Sequence, residues 1–278
     1  MQTEFVPGRG GRIFLNKKYL GEIRSAGLDD LKVISDFKGG QSLTKENLDK
    51  SRQRIKFRLT TNGTMVYLKK YTDTPYGKQI KNWIEHKAVK TTAEFDICWC
   101  KTLGEAGINT ADVVAWGYEK KFLFDSMSFA IVKEIENADS LEKKLPYFRS
   151  FKHKKEFIGK LADFAKKFHD TGLRHRDFYL CHIFYSEKNS TFTLIDLQRI
   201  FKPVIFSKRF QIKDIAQLYY STSKEYFSKN DRLRFYLRYK NITCLSSADK
   251  RFIAAVNSRA KKMYQHDIKH GKSAGYAV

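Results

Sequence analysis

The chain has 278 residues, 42% of them hydrophobic and only four of them proline, which fits one large domain or two lobes and excludes long disordered tracts. Lysine and arginine outnumber aspartate and glutamate by 53 to 30, and the resulting net charge of +23 points to a polyanionic partner: nucleic acid, anionic lipid or a phosphate-bearing substrate. Cys98, Cys100, Cys181 and Cys244 form no CxxC pair, which argues against structural zinc and reads as free buried thiols in a reducing compartment.

The opening MQTEFVPGRGG has no apolar core of the signal-peptide kind, and no apolar run approaches the ~20 residues of a membrane span. A soluble or peripheral protein is expected. The first third reads as strands and turns. Ile55-Lys56-Phe57-Arg58-Leu59 alternates apolar and basic residues, as a half-exposed strand does. Thr61-Asn62-Gly63-Thr64 follows as a hairpin turn in which Gly63 can take positive φ, and Met65-Val66-Tyr67-Leu68-Lys69 is the return strand. Between Lys70 and Thr92, Tyr76, Ile80, Trp83 and Ile84 fall at helical spacing among Lys78, Lys81 and Lys87. Such a segment either lies on an anionic membrane surface or packs on the sheet with its basic face solvated. Residues 93–106 read as a helix stopped by Gly107, and Val113–Trp116 and Ser128–Val132 as strands.

The character changes after about residue 135. Between Glu156 and Asp170, Phe157, Ile158, Leu161, Phe164, Ala165 and Phe168 recur at helical spacing with lysines opposite. Thr171-Gly172 ends that helix, and RHRDFYLCH begins two residues later at Arg174. Cys181–Tyr185 and Thr191–Ile195 read as short strands around a polar turn, and the chain from about Ile212 as mostly helical and basic. The fold class expected is α+β, with a β-rich first half and a helical second half.

Three charged positions fall in a meaningful order: Lys69 at a strand end, Asp177 in a loop after a helix, and Asp196 at the end of a hairpin strand. Phosphoryl transfer from ATP needs such a set. A lysine holds the phosphates, one acid orients the attacking hydroxyl, and another holds the metal that offsets developing charge. The hairpin between Asp177 and Asp196 returns the second to the neighbourhood of the first. With period-two strands, His182 and Phe184 share one face, and Phe192, Leu194 and Asp196 share a face of the partner strand. A lone HRD is a weak signal. HRD after an amphipathic helix, followed by a hairpin ending in Ile195-Asp196 and preceded by a strand lysine, points to a phosphotransferase.

This arrangement resembles the protein-kinase-like fold, and HRDFYLCHIF followed by LIDLQR is similar to the lipopolysaccharide core kinases of the Kdo/WaaP family. Those enzymes phosphorylate a sugar hydroxyl, typically of heptose, on the inner core. VYLKK resembles the family's nucleotide-lysine strand, AEFDICWCKTLGEAGINT the following helix and turn, and IKDIAQLYYST the helix behind the catalytic loop. The resemblance implies a two-lobed fold with the active site in the cleft between the lobes. Residues 1–135 would bind nucleotide, and 136–278 would carry the catalytic loop and the acceptor site. It also implies ATP and magnesium as cofactors, Asp177 as catalytic base, Asp196 as metal ligand, Lys69 as phosphate clamp and Asp214 as internal anchor of the loop. Phe129 to Ile135 would link the lobes and meet adenine through its backbone, so Lys133, Glu134 and Ile135 join the nucleotide site. His175 and Arg176 would shape the loop rather than react.

Two departures from ordinary protein kinases stand out. His182 occupies the place of an asparagine that binds a second metal, a change expected in the sugar kinases. Magnesium prefers oxygen ligands, so a hydrogen bond to Asp177 or to phosphate is an alternative role for His182. No glycine-rich loop precedes Lys69 at hairpin distance. Gly39-Gly40 and Gly8-Arg9-Gly10-Gly11 lie too far off, and Lys50-Ser51-Arg52 stands there instead, with Arg52 either supplying charge or simply exposed. The carboxylate partner of Lys69 is Asp96 or Glu94, since two positions apart on a helix they cannot both face it; alignment back from Gly107 favours Asp96. His86, His153 and His169 read as surface or helix-end residues.

The expected function is ATP-dependent phosphorylation of an inner-core sugar hydroxyl of lipopolysaccharide. The expected partners are that core sugar and an anionic membrane surface, at a cytoplasmic location peripheral to the inner membrane face. The alternative is a protein kinase acting on Tyr or Ser, which His182 and the lack of an APE-like element after LIDLQR disfavour. A nucleic-acid partner is not expected, because the aromatic and lysine interleaving of 70–92 matches no recognised reading motif.

Overall fold

The computed structural model describes residues 4–10, 12–43, 51–149 and 153–271. Met1–Thr3, Gly11 and Lys50, which enter the readings of the N-terminus and of the segment before Arg52, lie outside the described residues. The chain divides into two compact units, one of Met1–Gly104 with Thr110–Glu136 and one of Glu105–Asn109 with Asn137–Val278.

In chain order the first elements are β1 (Phe5–Pro7), β2 (Arg12–Asn16), α1 (Leu20–Ser25), α2 (Leu31–Asp36), β3 (Gln41–Ser42), β4 (Arg52–Arg58) and β5 (Met65–Thr72). They are followed by α3 (Tyr76–His86), α4 (Thr92–Glu105), the two-residue β6 (Asn109–Thr110), β7 (Val113–Lys121) and β8 (Phe124–Lys133). A seven-stranded sheet runs β1-β2-β7-β8-β5-β4-β3. The alternation in β4 is realised: Ile55, Phe57 and Leu59 join Val66, Leu68, Phe129 and Ile131 in one core, while Arg58 is exposed. Pairing of β5 with β4 on one side and β8 on the other places Lys69 opposite Arg54 and Ala130, well inside the sheet.

The hairpin turn needs its glycine for a different reason from the one expected. Gly63 does not take positive φ; a Cβ there would meet Thr60 Oγ1 at 2.2 Å and Glu22 Oε2 at 2.5 Å. The close approach lets the Glu22 carboxylate accept from the Thr64 N–H at 2.6 Å and the Thr64 hydroxyl at 2.8 Å.

Helix α3 is held by other residues than its aliphatic stripe. Its buried residue is Gln79, whose amide donates to the Thr74 and Asp125 carbonyls and accepts from the Asp125 N–H. Trp83 and Tyr76 rest on Phe124, with ring centroids 5.2 and 4.4 Å away. The stripe Tyr76, Ile80, Ile84 is exposed, so the helix is fixed by one buried amide and one aromatic cluster rather than by its aliphatic face. The thiol reading is corrected as well. All four cysteines are free, yet Cys98, Cys100 and Cys181 are only partly buried and Cys244, in the connection after the left-handed cap Asn241, is exposed.

The second unit contains β9 (Asp139–Ser140), α5 (Leu141–Lys144), α6 (Lys154–Asp170), β10 (Ile183–Ser186), β11 (Thr191–Leu194), α7 (Ser207–Ser221), α8 (Lys229–Lys240) and α9 (Ser247–Lys269). Its short sheet runs β6-β11-β10-β9. Helix α6 lays Phe157 on Tyr185 and Phe164 on Phe192, both pairs at 5.1 Å between ring centroids. That packing holds the hairpin against the helix that feeds the HRD loop. Capping boxes at Ser228 with Asp231 and Ser246 with Asp249 start α8 and α9. Among the described residues no helix is long and apolar enough to cross a membrane.

The strand expected at Cys181–Tyr185 begins later. Leu180–His182 forms a 3-10 turn closed by the His182 N–H on the Tyr179 carbonyl at 3.0 Å, and β10 starts at Ile183. His182 therefore owes its direction to this turn, not to strand alternation.

Candidate active site

Lys69 lies on β5 with its side chain 14% exposed, and its ammonium pairs with Asp96 Oδ2 at 3.0 Å. Asp96 is placed by α4, whose start is a capping box. The Thr91 hydroxyl accepts from the Glu94 N–H at 3.2 Å, and the Glu94 carboxylate accepts from the Thr91 N–H at 2.7 Å. Glu94 is thus committed to the helix end and to Lys120 at 3.4 Å, which leaves Asp96 as the partner of Lys69. The neighbouring Lys70 points to the other face of the sheet. It is buried, and its ammonium donates to the Ser35 and Phe37 carbonyls at 2.8 and 3.1 Å. Burial pushes its pKa down. Sequence reading passed over it. Arg52 starts β4 with its guanidinium 5.8 Å from the Tyr71 ring centroid.

The segment assigned to adenine needs correction. Phe129 to Lys133 is interior strand, not a link, because β8 continues to Lys133 between β5 and β7. The Lys133 N–H donates to the Asp112 carbonyl at 2.8 Å and the Glu134 N–H to the Met65 carbonyl at 2.9 Å, so neither is available to a base. The Glu134 side chain is engaged too. Burial alone would raise its pKa, but Lys56 and the Tyr67 hydroxyl hold it below the usual range. Ile135 lies beyond these bonds.

In the second unit the HRD loop hangs by its backbone from one face of α7. Asp214 accepts from the His175 and Arg176 N–H groups, both at 2.8 Å. Gln217 accepts from the Phe178 N–H at 3.0 Å and donates to the Arg176 carbonyl at 2.7 Å, and the Ser221 hydroxyl accepts from the Leu180 N–H at 3.1 Å. Positions i, i+3 and i+7 share a helix face, so α7 presents a polar ladder in register with the loop. Burial would raise the Asp214 carboxyl, but His169 and these backbone donors hold its pKa below the usual range. His169 lies in the last turn of α6, but it is buried and not at the surface. Its Nε2 lies 3.3 Å from Asp214, and its Nδ1 accepts from the Tyr239 hydroxyl at 2.7 Å. His175 is fully buried beside the Ile195 carbonyl, 3.0 Å from its Nε2. Burial lowers the pKa of both rings.

Asp177 emerges from this anchored loop. Arg199 Nη1 donates to both of its carboxylate oxygens, at 2.9 and 2.7 Å. His182 Nδ1 donates to the Asp177 carbonyl at 2.8 Å, since a carbonyl can only accept, and its Nε2 stands 3.6 Å from Asp196 Oδ2. Asp196 has a left-handed backbone, φ 60° and ψ 54°, and accepts from Gln198 Nε2 at 2.9 Å. Arg176 is left-handed as well, at φ 68°. Two non-glycine residues in that region within one site mark a geometry that its surroundings impose. Asp177, His182 and Asp196 are therefore brought together, with Arg199 added. Sequence reading missed Arg199, Gln217 and Ser221. The last two leave a signal in polar residues at i, i+3, i+7 from Asp214 along a mostly apolar helix.

The donor set suits magnesium. His182 gives its Nδ1 to the Asp177 carbonyl and turns its Nε2 toward the Asp196 carboxylate, 3.6 Å away, so that a nitrogen and a carboxylate converge beside the loop. Magnesium is commonly held by one or two carboxylates together with substrate phosphates. Among the described residues no cluster of three or more His, Cys, Asp or Glu could hold a metal by itself.

The family model described as the lipopolysaccharide kinase (Kdo/WaaP) family matches residues 41–239. Lipopolysaccharide core heptose(I) kinase WaaP of Pseudomonas aeruginosa is 24% identical over 230 residues, covering 78% of this chain and 86% of that protein. The protein of the same name from Escherichia coli K12 is 24% identical over 195 residues, covering 66% and 73%. A solved structure of WaaP in complex with acyl carrier protein superposes with a TM-score of 0.68 at 21% identity, covering 91% of this chain and 99% of that one.

Replacing Gln217 by Leu leaves the Phe178 N–H and the Arg176 carbonyl without their partner. A loss of about 1–3 kcal/mol in urea unfolding is expected, and a fall in turnover larger than any change in the KM for ATP. The two buried histidines give a pH dependence. Each ring binds a proton in the unfolded chain below about pH 6.5 and resists doing so when folded. Their contribution is therefore present above that pH and lost below it, at up to about 1.4 kcal/mol per ring per pH unit. Asp125, whose carboxyl burial pushes up to about 6, acts in the opposite sense and recovers part of the loss. Urea unfolding should show a net drop of about 2 kcal/mol between pH 7.5 and 5.5; a flat profile would mean that these rings are protonated in the fold.

Proposed function

The chain belongs to the lipopolysaccharide kinase (Kdo/WaaP) family, and from that premise we propose that it transfers the γ-phosphate of ATP to a heptose hydroxyl of the lipopolysaccharide inner core. The family assignment makes it a phosphotransferase acting on a sugar hydroxyl, not a protein kinase. The observation that carries the finer reading is the set Asp177, His182 and Asp196, with the catalytic carboxylate oriented by Arg199 and its loop anchored on α7.

In this reading Asp177 accepts the proton of the attacking hydroxyl as the new O–P bond forms. The bond between the γ-phosphorus and the β,γ-bridging oxygen breaks, and ADP leaves. Lys69, held by Asp96, grips the ATP phosphates. Ile135 offers its backbone to adenine, with Lys133 and Glu134 confined to shaping that edge. Asp196, with His182 beside it, would hold magnesium, which supplies charge neutralisation of the phosphates. His182 also keeps the Asp177 main chain and the Asp196 carboxylate at a fixed separation. The first unit is then the nucleotide-binding domain, and the second carries catalysis and acceptor binding.

The membrane contact is assigned to the first unit. Phe122 is 92% exposed at the turn between β7 and β8, beside Leu123, and Phe124 of the same strand packs under α3. Tyr76, Ile80 and Ile84 continue the apolar surface, with Lys81, Lys87 and Lys121 exposed around it and Asp73 and Glu119 as nearby acids. Apolar side chains ringed by lysines suit the surface of an anionic bilayer.

Asp177→Asn should lower turnover by about 10²–10⁴-fold while ATP binding, read by nucleotide protection against thermal unfolding, persists. Retention of more than a tenth of wild-type phosphate transfer to core oligosaccharide would remove Asp177 from the proposed role. Co-sedimentation with phosphatidylglycerol vesicles should be strong, weaker with phosphatidylcholine, and reduced at least tenfold in the Phe122→Ser, Leu123→Ser double variant. Equal binding by the double variant would place the contact elsewhere.

A further inference from the structure

Two cations beside Asp177 have more donors than the fold uses. Arg199 spends one nitrogen, Nη1, on the Asp177 carboxylate; its Nε and Nη2 make no hydrogen bond among the described residues, and its side chain is 43% exposed. Lys213 precedes Asp214 on α7, and its ammonium has neither a hydrogen bond nor an ion pair among the described residues. A partly buried lysine without an acceptor costs stability, and ordinarily such a side chain reaches for water. Burial lowers the Lys213 pKa. Arg199 and Arg176 push it the same way, while Asp177 and Asp214 oppose them, so Lys213 sits within the field of the catalytic acid and of both arginines.

The local charges do not balance. Asp214 is consumed by the loop N–H groups and His169. Arg176 lies over the Phe201 ring at 5.3 Å. The Asp177 carboxylate is held by Arg199, and Lys213 stands on α7 next to Asp214, which anchors the loop that carries Asp177. No long segment intervenes either, since the connection from Arg199 to the start of α7 is only residues 200–206, and Val204, Ile205 and Phe206 within it are exposed. A planar guanidinium can hold one carboxylate on one nitrogen and a second oxyanion on its remaining edge. In the proposed mechanism the ATP phosphates would be met by Lys69, and Asp196 would hold the magnesium that neutralises them. The surplus cations surround the acid that meets the acceptor.

We propose that Arg199 and Lys213 form an anion-binding subsite beside Asp177 that takes a carboxylate or phosphate substituent carried by the acceptor next to the reacting hydroxyl. This rests on the sugar-kinase reading and deepens it by giving the acceptor a charge requirement. With the anion bound, Lys213 gains its missing partner, and Arg199 ties the acceptor to the carboxylate that receives its proton. Binding and orientation then share one residue. A neutral sugar would leave Lys213 without an acceptor and the outer edge of Arg199 unused, which discriminates against it.

The test compares three acceptors: native core oligosaccharide, the same material with its carboxylates reduced to alcohols, and the same material treated with phosphatase. Wild-type enzyme should lose tenfold or more in kcat/KM on one of the two neutralised acceptors, and the one affected identifies carboxylate or phosphate as the recognised group. Lys213→Met should lose a similar factor on native acceptor, chiefly as acceptor KM, and little more on the affected neutral one. Its KM for ATP should not change, and it should melt no lower than wild type because an unpaired ammonium has been removed. Equal turnover of all three acceptors by wild type overturns the subsite. So does a Lys213→Met defect that appears in the KM for ATP or as a lowered melting temperature. If wild type phosphorylates none of the three, the sugar-kinase reading falls, and the subsite with it.

Discussion

The site depends on how an irregular buried loop satisfies its own backbone. Residues 175–179 are neither helix nor strand, so their N–H groups have no regular ladder to join, and a buried unpaired N–H costs about as much as a lost hydrogen bond. Helix α7 supplies the acceptors. Asp214, Gln217 and Ser221 take the N–H groups of His175, Arg176, Phe178 and Leu180 in turn. Because these acceptors ride on one rigid helix face, the loop inherits the precision of the helix. Arg176 can then be held in a left-handed conformation, which turns the chain so that Asp177 follows with a fixed direction. Carboxylate, histidine turn and hairpin all hang from that ladder.

The same economy appears across the hairpin. Asp196 is also left-handed, and its position relative to Asp177 is fixed twice. His182 joins the Asp177 main chain to the Asp196 side chain, and Arg199, three residues beyond Asp196, joins back to the Asp177 side chain. Both bridges end in planar groups, and strain at two backbone positions persists because partners on both sides constrain it. In the first unit the corresponding logic is simpler. A capping box fixes the start of α4, and that places Asp96 one turn inside the helix to hold Lys69.

What could be read from sequence follows what is periodic or locally coded. Alternation in Ile55–Leu59 and helical spacing in Phe157–Phe168 give β4 and α6 almost to their ends, because burial of one face is what those elements are for. The HRD loop and the Asp196 turn are recognisable as motifs. Asp96 over Glu94 was within reach, since Thr91-Thr92-Ala93-Glu94 is a capping-box pattern that assigns Glu94 another task. Other features need three dimensions. Which of two adjacent lysines faces the nucleotide side is decided by the pairing of β5 with two neighbours, and the buried role of Lys70 has no local signature. The turn at Leu180–His182 interrupts what composition presents as a strand, because the loop's last anchored N–H lies at Leu180. His169 is a helix-end residue whose burial shows only where Tyr239 and Asp214 converge on it. In α3, aliphatic spacing left open whether that face packs or meets a membrane, and one buried amide and an aromatic cluster fix the helix while that face stays exposed.

His182 shows why a residue type, and not only a position, shapes this site. Its Nδ1 is spent on the main-chain carbonyl of the residue whose side chain is the catalytic acid, so its Nε2 must address whatever lies beyond. What lies beyond is Asp196, at a distance that accommodates a proton or a cation as readily as a direct contact. An asparagine there would also offer one donor and one acceptor, but on a shorter arm with its polar atoms on a single carbon. The imidazole spans farther with its two nitrogens on opposite sides of a rigid ring. In the proposed mechanism it would set the spacing between the carboxylate that receives a proton and the one that would hold the metal. Arg199 brings a fixed positive charge to the Asp177 carboxylate itself, through Nη1 to both of its oxygens.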